Sequence, residues 1–142
     1  MDMRQITDTY FVAPQLDPSD MALAAAEGVT TIIANRPDSE VPASHQVDVM
    51  QKAAEDAGLA FVILPITHQT MTPEAVATQA DAINSGEKVL AYCASGTRST
   101  IIWAMGQASA GDLTVDEIMA AAAKGGYDLS NVQPLLSQLS QS

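Results

Sequence analysis

The chain has 142 residues, enough to bury the core of one domain of ordinary size, and we predict a single domain over residues 1–142. Its 17 acidic and 6 basic side chains give a net charge of −11, which disfavours nucleic acid and anionic membrane surfaces as partners. With one cysteine, no internal disulfide can form, and no stretch approaches the roughly 18 apolar residues of a membrane span, so we expect a cytoplasmic protein.

Apolar runs of strand length alternate along the chain with segments of helical period. This alternation is typical of an α/β fold, a three-layer sandwich in which helices cover both faces of a mostly parallel sheet. We predict four or five strands and assign residue ranges to four of them. In chain order, the predicted elements are a strand at Thr9–Val12, a helix at Asp17–Glu27, a strand at Thr30–Ala34, a helix at Ser44–Ala57, a strand at Ala60–Pro65, a helix at Thr72–Ser85, a strand at Lys88–Tyr92, and helices near Thr97–Ser109, Thr114–Ala123 and Asn131–Leu139.

The segment KVLAYCASGTRSTIIWAM carries the chemistry, because a strand ends at Cys93 and a short loop then leads into a helix near Arg98. Such a loop turns successive backbone N–H groups into a concave nest, with the positive end of the helix dipole behind it. A nest of this kind stabilises an anion, and a thiol held there is expected to lose its proton more readily than a free thiol. We therefore predict that Cys93 is a nucleophile.

The other residues of this loop fit an anion-binding role. Gly96 lets the backbone turn an amide inward, Arg98 supplies a forked, permanently charged donor, and the Ser99 hydroxyl is expected to hydrogen-bond the thiolate. The predicted loop comprises Ala94, Ser95, Gly96, Thr97 and Ser99. The alternative is a buried, inert cysteine beside a surface arginine. We also expect Trp103 and Met105, on the following helix, to pack against the sheet.

Three segments, CASGTRS, IIANRPDSE and GLAFVILPITHQTMTPE, resemble a bacterial family of small phosphatase-like proteins, the phosphatase-like domain of beta-lactamase hydrolase-like proteins. Members occur alone or fused to a β-lactamase-like persulfide dioxygenase, and the resemblance runs from about Gln5 to Leu139. It implies the protein-tyrosine-phosphatase fold in the compact form of the dual-specificity enzymes. It does not determine the reaction.

The sequence departs from the phosphatase pattern in three ways. Phosphatases of this fold have five residues between cysteine and arginine, whereas four separate Cys93 from Arg98 here, a spacing that resembles rhodanese-type sulfurtransferases. Tyr92 replaces the histidine that precedes the cysteine. The segment THQTMTPE lacks the expected aspartic acid and offers only His68 and Glu74, the latter assigned to a helix start. These departures favour sulfur over phosphate.

Two further segments hold candidate pocket residues. Arg36 and Asp38 follow the second predicted strand, at the sheet edge where α/β proteins bind ligands. They either line the pocket, with Arg36 attracting an anionic donor, or pair with each other to fix the loop. His68 is a candidate acid or donor contact, although an isolated loop histidine is more often solvated, and His45 is assigned to the surface. No Cys/His cluster is present, so we predict no metal and no cofactor.

Three functions remain open. The leading hypothesis is a sulfurtransferase that moves sulfane sulfur from a small anionic donor, thiosulfate or a persulfide, to a thiol acceptor through a Cys93 persulfide. The alternative is a cysteine-based phosphatase that forms a cysteinyl phosphate. The third is a non-catalytic, anion-binding or sulfur-carrying partner of a persulfide dioxygenase.

Overall fold

The computed structural model of the protein describes residues 1–141. A five-stranded sheet has the strand order β1-β2-β5-β3-β4, with β1 antiparallel to β2 and the other neighbours parallel. The strands are β1 Arg4–Gln5, β2 Tyr10–Ala13, β3 Thr31–Ala34, β4 Ala60–Ile63 and β5 Val89–Tyr92. The α-helices are α1 Asp20–Ala26, α2 Val47–Asp56, α3 Pro73–Ser85, α4 Thr97–Ala110, α5 Val115–Lys124 and α6 Gln133–Ser140.

Strand β5 lies at the centre of the sheet and is buried on both faces. Successive side chains of a strand point to opposite faces, so Val89 and Ala91 enter the core on one side while Leu90 and Tyr92 enter the core on the other. A continuous apolar run is therefore needed at this position, and VLAY supplies it. The central strand carries its carboxyl end, and hence Cys93, to the ligand-binding edge of the sheet.

Helices cover both faces of the sheet. Residues of α1 and α2 pack on one face, and residues of α4, α5 and α6 pack on the other. Every residue of α4 from Arg98 to Ala104 is buried, as expected for a helix enclosed by other elements. Trp103 is buried there and stacks on Tyr10, with ring centroids 6.2 Å apart. Its predicted core position is confirmed, and Met105 packs against the same core.

The predicted α/β fold and the four predicted strands are confirmed, with boundaries that differ by one or two residues. Strand β1 is the fifth strand, and the sequence did not locate it, because two residues of mixed burial carry no periodic signal. Two helices begin three residues later than predicted, α1 at Asp20 and α2 at Val47, because a turn precedes α1 and a 3-10 helix at Ala43–His45 precedes α2. Of the helices that the structure describes, none is both long and apolar enough to cross a bilayer.

A buried polar network joins the sheet to two of its helices. The Gln79 amide, on α3, donates to the Tyr10 hydroxyl and to Asn35 Oδ1, at 3.1 and 3.2 Å, and its own oxygen accepts from Asn35 Nδ2 at 2.9 Å. Tyr10 donates in turn to the backbone carbonyl of Ser99 on α4, at 2.7 Å. The network fixes the end of β3 relative to the start of α4.

We expect Gln79→Leu to lower the free energy of unfolding by about 1–3 kcal/mol, because it removes hydrogen bonds from two buried polar partners. Urea denaturation followed by circular dichroism measures the change. Gln69→Leu, at an exposed loop position, is the matched control and should change stability by no more than about 0.5 kcal/mol. Equal stability of the two variants would contradict a structural role for the network.

Candidate active site

Cys93 directly follows the central strand and is completely buried. Its backbone N–H donates to the carbonyl of Ala13 at 3.4 Å, and the Ala94 carbonyl accepts from the N–H of Gln15 at 3.3 Å. The first two residues of the loop thus continue the pairing between β5 and β2. This pairing holds the sulfur at a fixed point on the carboxyl edge of the sheet.

The turn from loop to helix directs a backbone amide at the sulfur. Gly96 has a φ of +93°, in the left-handed region that favours glycine, and it is the N-cap residue of α4. Its N–H donates to Cys93 Sγ at 3.1 Å. Its carbonyl accepts from the backbone N–H and the hydroxyl of Thr100, at 3.0 and 2.8 Å. Gly96 therefore anchors the start of α4 and donates a hydrogen bond to the sulfur. Its amide points inward, as expected from the sequence.

The remaining members of the predicted loop form its outer rim. Ala94 and Ser95 are exposed and Thr97 is half-buried. The Ser95 hydroxyl donates to Thr97 Oγ1 at 2.9 Å, which stiffens the outer turn. Ser99 differs from its predicted role, because its hydroxyl donates to Asn35 Oδ1 at 2.8 Å and not to the cysteine sulfur. A hydroxyl has a single proton to donate, so Ser99 ties the loop to β3.

Arg98 is 9% exposed and its guanidinium is held on two sides. Its terminal nitrogens form a bidentate pair with Glu40, at 2.9 and 2.7 Å, and one of them also donates to the Ile66 carbonyl at 2.9 Å. The hydrogen bonds that Arg98 donates to Glu40 are the main cause that raises the pKa of Arg98, and the nearby Cys93 sulfur adds to it. The guanidinium is therefore fixed beside the sulfur, where a bound anion would meet it.

Glu40 is a site residue that the sequence did not reveal. Besides Arg98, it accepts a hydrogen bond from Arg36 Nε at 3.2 Å. The hydrogen bond from Arg98, followed by that from Arg36, holds the pKa of this carboxyl below its usual range. The only local signal was the i,i+4 spacing of Arg36 and Glu40 in NRPDSE. The hydrogen bond between Arg98 and Glu40 joins residues 58 positions apart, so it forms only when the chain is folded.

The loop after β3 uses Arg36 and Asp38 as structural residues. Arg36 donates to Gln15 Oε1 and to the backbone and side chain of Glu40, each at 3.2 Å. Asp38 Oδ1 accepts from the N–H of Val47 at 2.8 Å, at the start of α2. The alternative prediction that Arg36 pairs with Asp38 is therefore wrong, because each side chain has a different partner. Arg36 reaches the site indirectly, through Glu40.

The loop between β4 and α3 contributes little polar chemistry. His68 is exposed, and no side chain within residues 1–141 hydrogen-bonds its ring. Glu74 is exposed in the first turn of α3, where the capping hydrogen bond runs from the Ala75 N–H to Thr72 Oγ1. Glu74 therefore lies in the helix start, as predicted. Within the described residues, no group of three His, Cys, Asp or Glu side chains could hold a metal ion.

Comparisons with known sequences agree on one protein family. The family model "Beta-lactamase hydrolase-like protein, phosphatase-like domain" matches residues 2–110. A beta-lactamase hydrolase-like protein of Xylella fastidiosa (strain Temecula1 / ATCC 700964) is 31% identical over 130 residues, which make up 91% of this chain and 30% of that protein. The chain therefore spans less than a third of that relative's length.

Solved structures support the same scaffold. A candidate phosphatase from Neisseria meningitidis Z2491 is 32% identical, with a TM-score of 0.86 over 98% of this chain and 99% of the other. The structure of PTPMT1 has a TM-score of 0.76 over 98% of this chain and 94% of the other, at 17% identity. At that identity the likeness shows the fold alone. The predicted tyrosine-phosphatase-like fold is confirmed.

We expect Glu40→Gln to lower the kcat/KM of the Cys93-dependent reaction about 10- to 100-fold. A neutral amide cannot hold the Arg98 guanidinium through two charge-assisted hydrogen bonds. Glu74→Gln, on an exposed carboxylate, is the matched control and should leave kcat/KM unchanged. Equal kinetics of the two variants would mean that Glu40 does not position Arg98.

The pH dependence of folding stability follows from the lowered pKa of Glu40. A carboxyl whose pKa is lower in the folded than in the unfolded state stabilises the folded state at pH values above its unfolded-state pKa. This contribution is lost as the pH falls through the folded-state pKa. The stability difference between wild type and Glu40→Gln should therefore be constant above pH about 4.3 and shrink only below it. Thermal unfolding across pH 3–7 checks this; a difference that shrinks already near pH 6 would contradict it.

Proposed function

The chain belongs to the phosphatase-like domain family of beta-lactamase hydrolase-like proteins, and we propose that it transfers sulfane sulfur through a persulfide on Cys93. The observation that carries the proposal is the short loop, in which four residues separate Cys93 from Arg98. A nest of this size, with the Gly96 amide already on the sulfur, suits one added sulfur atom better than a tetrahedral phosphoryl group.

The proposed cycle has two steps. The Cys93 thiolate attacks the outer sulfur of thiosulfate, the S–S bond of the donor breaks, and sulfite leaves with the bonding electron pair. The resulting Cys93–S–S⁻ is stabilised by loop amides and by Arg98. A thiolate acceptor then attacks the terminal sulfur, and Cys93 leaves as a thiolate. The partners are thus a small anionic donor and a thiol, and a reducing cytoplasm would keep the single cysteine competent.

The polar groups around the site support transfer to an anionic leaving group. Hydrolysis of an unactivated phosphate ester needs a proton donor for the leaving oxygen. Glu40 is unsuited to that role, because two guanidiniums hold its pKa below the usual range. Residues 64–72, between β4 and α3, contain no carboxylate, and Asp38 accepts a backbone hydrogen bond. Sulfite and thiolates leave as anions and need no such donor.

Phosphatase activity is the second candidate, and the comparisons favour it. The family model is described as phosphatase-like, and the relative from Neisseria meningitidis is described as a candidate phosphatase. A nucleophilic cysteine with a fixed arginine is also what a cysteinyl-phosphate mechanism requires. An aryl phosphate with a good leaving group is the appropriate substrate, because its phenolate departs without protonation.

Intact-protein mass spectrometry separates the two candidates. After exposure to thiosulfate, the wild type should gain the mass of one sulfur atom, whereas Cys93→Ser should gain nothing, because the nucleophile is absent. Reduction with a thiol should remove the added sulfur. Thermal unfolding of Cys93→Ser serves as the control for folding. A phosphoryl adduct from the aryl phosphate, with no sulfur adduct from thiosulfate, would replace the sulfurtransferase proposal with the phosphatase.

Lengthening the loop tests the size argument. Inserting one glycine between Gly96 and Thr97 should lower thiosulfate:thiol transfer at least 10-fold, because the wider nest holds a terminal sulfur less tightly. Hydrolysis of the aryl phosphate should persist. The matched control inserts one glycine between Gly111 and Asp112, in the turn after α4, where there is open space around Gly111. If the loop insertion leaves sulfur transfer intact, loop size does not select the substrate.

A further inference from the structure

Tyr127 reaches the cysteine loop from the far end of the chain. It follows α5 after Gly125 and Gly126, and its backbone N–H donates to the Ala122 carbonyl at 2.9 Å. Gly126 has a φ of +93°, which lets the chain reverse at the end of the helix. After this reversal, Tyr127 is only 6% exposed. This position lies beyond residues 2–110, the part matched by the family model.

The Tyr127 hydroxyl donates to the backbone carbonyl of Ser95 at 2.9 Å. That carbonyl belongs to the same peptide unit as the N–H of Gly96, which donates to Cys93 Sγ at 3.1 Å. A trans peptide is planar, and its C=O and N–H point in opposite directions. The direction of the carbonyl therefore sets the direction of the amide. Holding one end of the unit on Tyr127 keeps the other end on the sulfur.

Packing around this peptide shows that the fit is close. A Cβ added at Gly96 would overlap the Tyr127 hydroxyl, so tyrosine and glycine occupy complementary space. The Arg4 guanidinium lies over the Tyr127 ring, 5.2 Å from its centroid. Burial raises the pKa of Tyr127, so the hydroxyl keeps its proton and remains a donor at neutral pH.

We propose that Tyr127 is a positioning residue that holds the Ser95–Gly96 peptide with its N–H on the Cys93 sulfur. It acts on the reaction through that amide and does not itself touch the substrate. The inference rests on the proposed function in one respect only, namely that Cys93 reacts as a thiolate. It holds equally for sulfur transfer and for phosphate hydrolysis, since both begin from that anion.

Tyr127→Phe tests the proposal because it removes the hydroxyl and retains the ring. Without its partner, the Ser95 carbonyl is free to reorient and the Gly96 amide leaves the sulfur. The pH midpoint for alkylation of Cys93 by iodoacetamide should rise by about half to one unit, as expected for the loss of one hydrogen bond to an anion. The kcat/KM of group transfer should fall about three- to tenfold, mainly in kcat.

Leu136→Ala is the control for a purely structural effect. Leu136 is fully buried in the core that contains Tyr127, so this variant should lower the melting temperature without moving the alkylation midpoint. A shift in Tyr127→Phe alone supports the positioning role. An unchanged midpoint in Tyr127→Phe, or the same shift in both variants, overturns it. Alkylation needs no sulfur donor, so a wild type that fails to transfer sulfur rejects the proposed function without affecting this readout.

Discussion

The site depends on one hydrogen bond, from the N–H of Gly96 to the buried sulfur of Cys93. Three parts of the fold have to agree for it to form. The central strand must end one residue before the cysteine, the loop must turn through the left-handed region at Gly96, and α4 must start there. A sulfur anion without such donors would be unfavourable in a completely buried position. The amide therefore turns a core cysteine into a candidate nucleophile.

The charges around this sulfur run against those of the whole chain. The net charge is −11, which repels small anions at long range. Close to Cys93, however, Arg36 and Arg98 share the single carboxylate of Glu40, so the three side chains carry one net positive charge. Because Arg98 is only 9% exposed, water screens its charge less than that of a surface residue. We therefore expect this local positive charge to favour an anion at the loop.

The tyrosine-phosphatase-like fold does not by itself determine the reaction. A fold supplies a rigid edge on which a thiolate and an arginine can be presented, and unrelated reactions can use the same edge. The features on which our proposal of sulfur transfer rests are local: the four residues between Cys93 and Arg98, and the absence of a carboxylate in residues 64–72. Neither feature alters the core, so a change of reaction does not require a change of fold.

Local order in the sequence determined the alternation of strands and helices and the junction that carries Cys93, Gly96 and Arg98, because these features depend on residues that are neighbours in the chain. Tertiary structure alone decided the partners of that junction. Glu40 meets Arg98 across 58 positions, Asn35 meets Ser99 across 64, and Tyr127 meets Ser95 across 32. No periodicity or motif records such pairs, since they exist only once the sheet has brought distant loops to one edge.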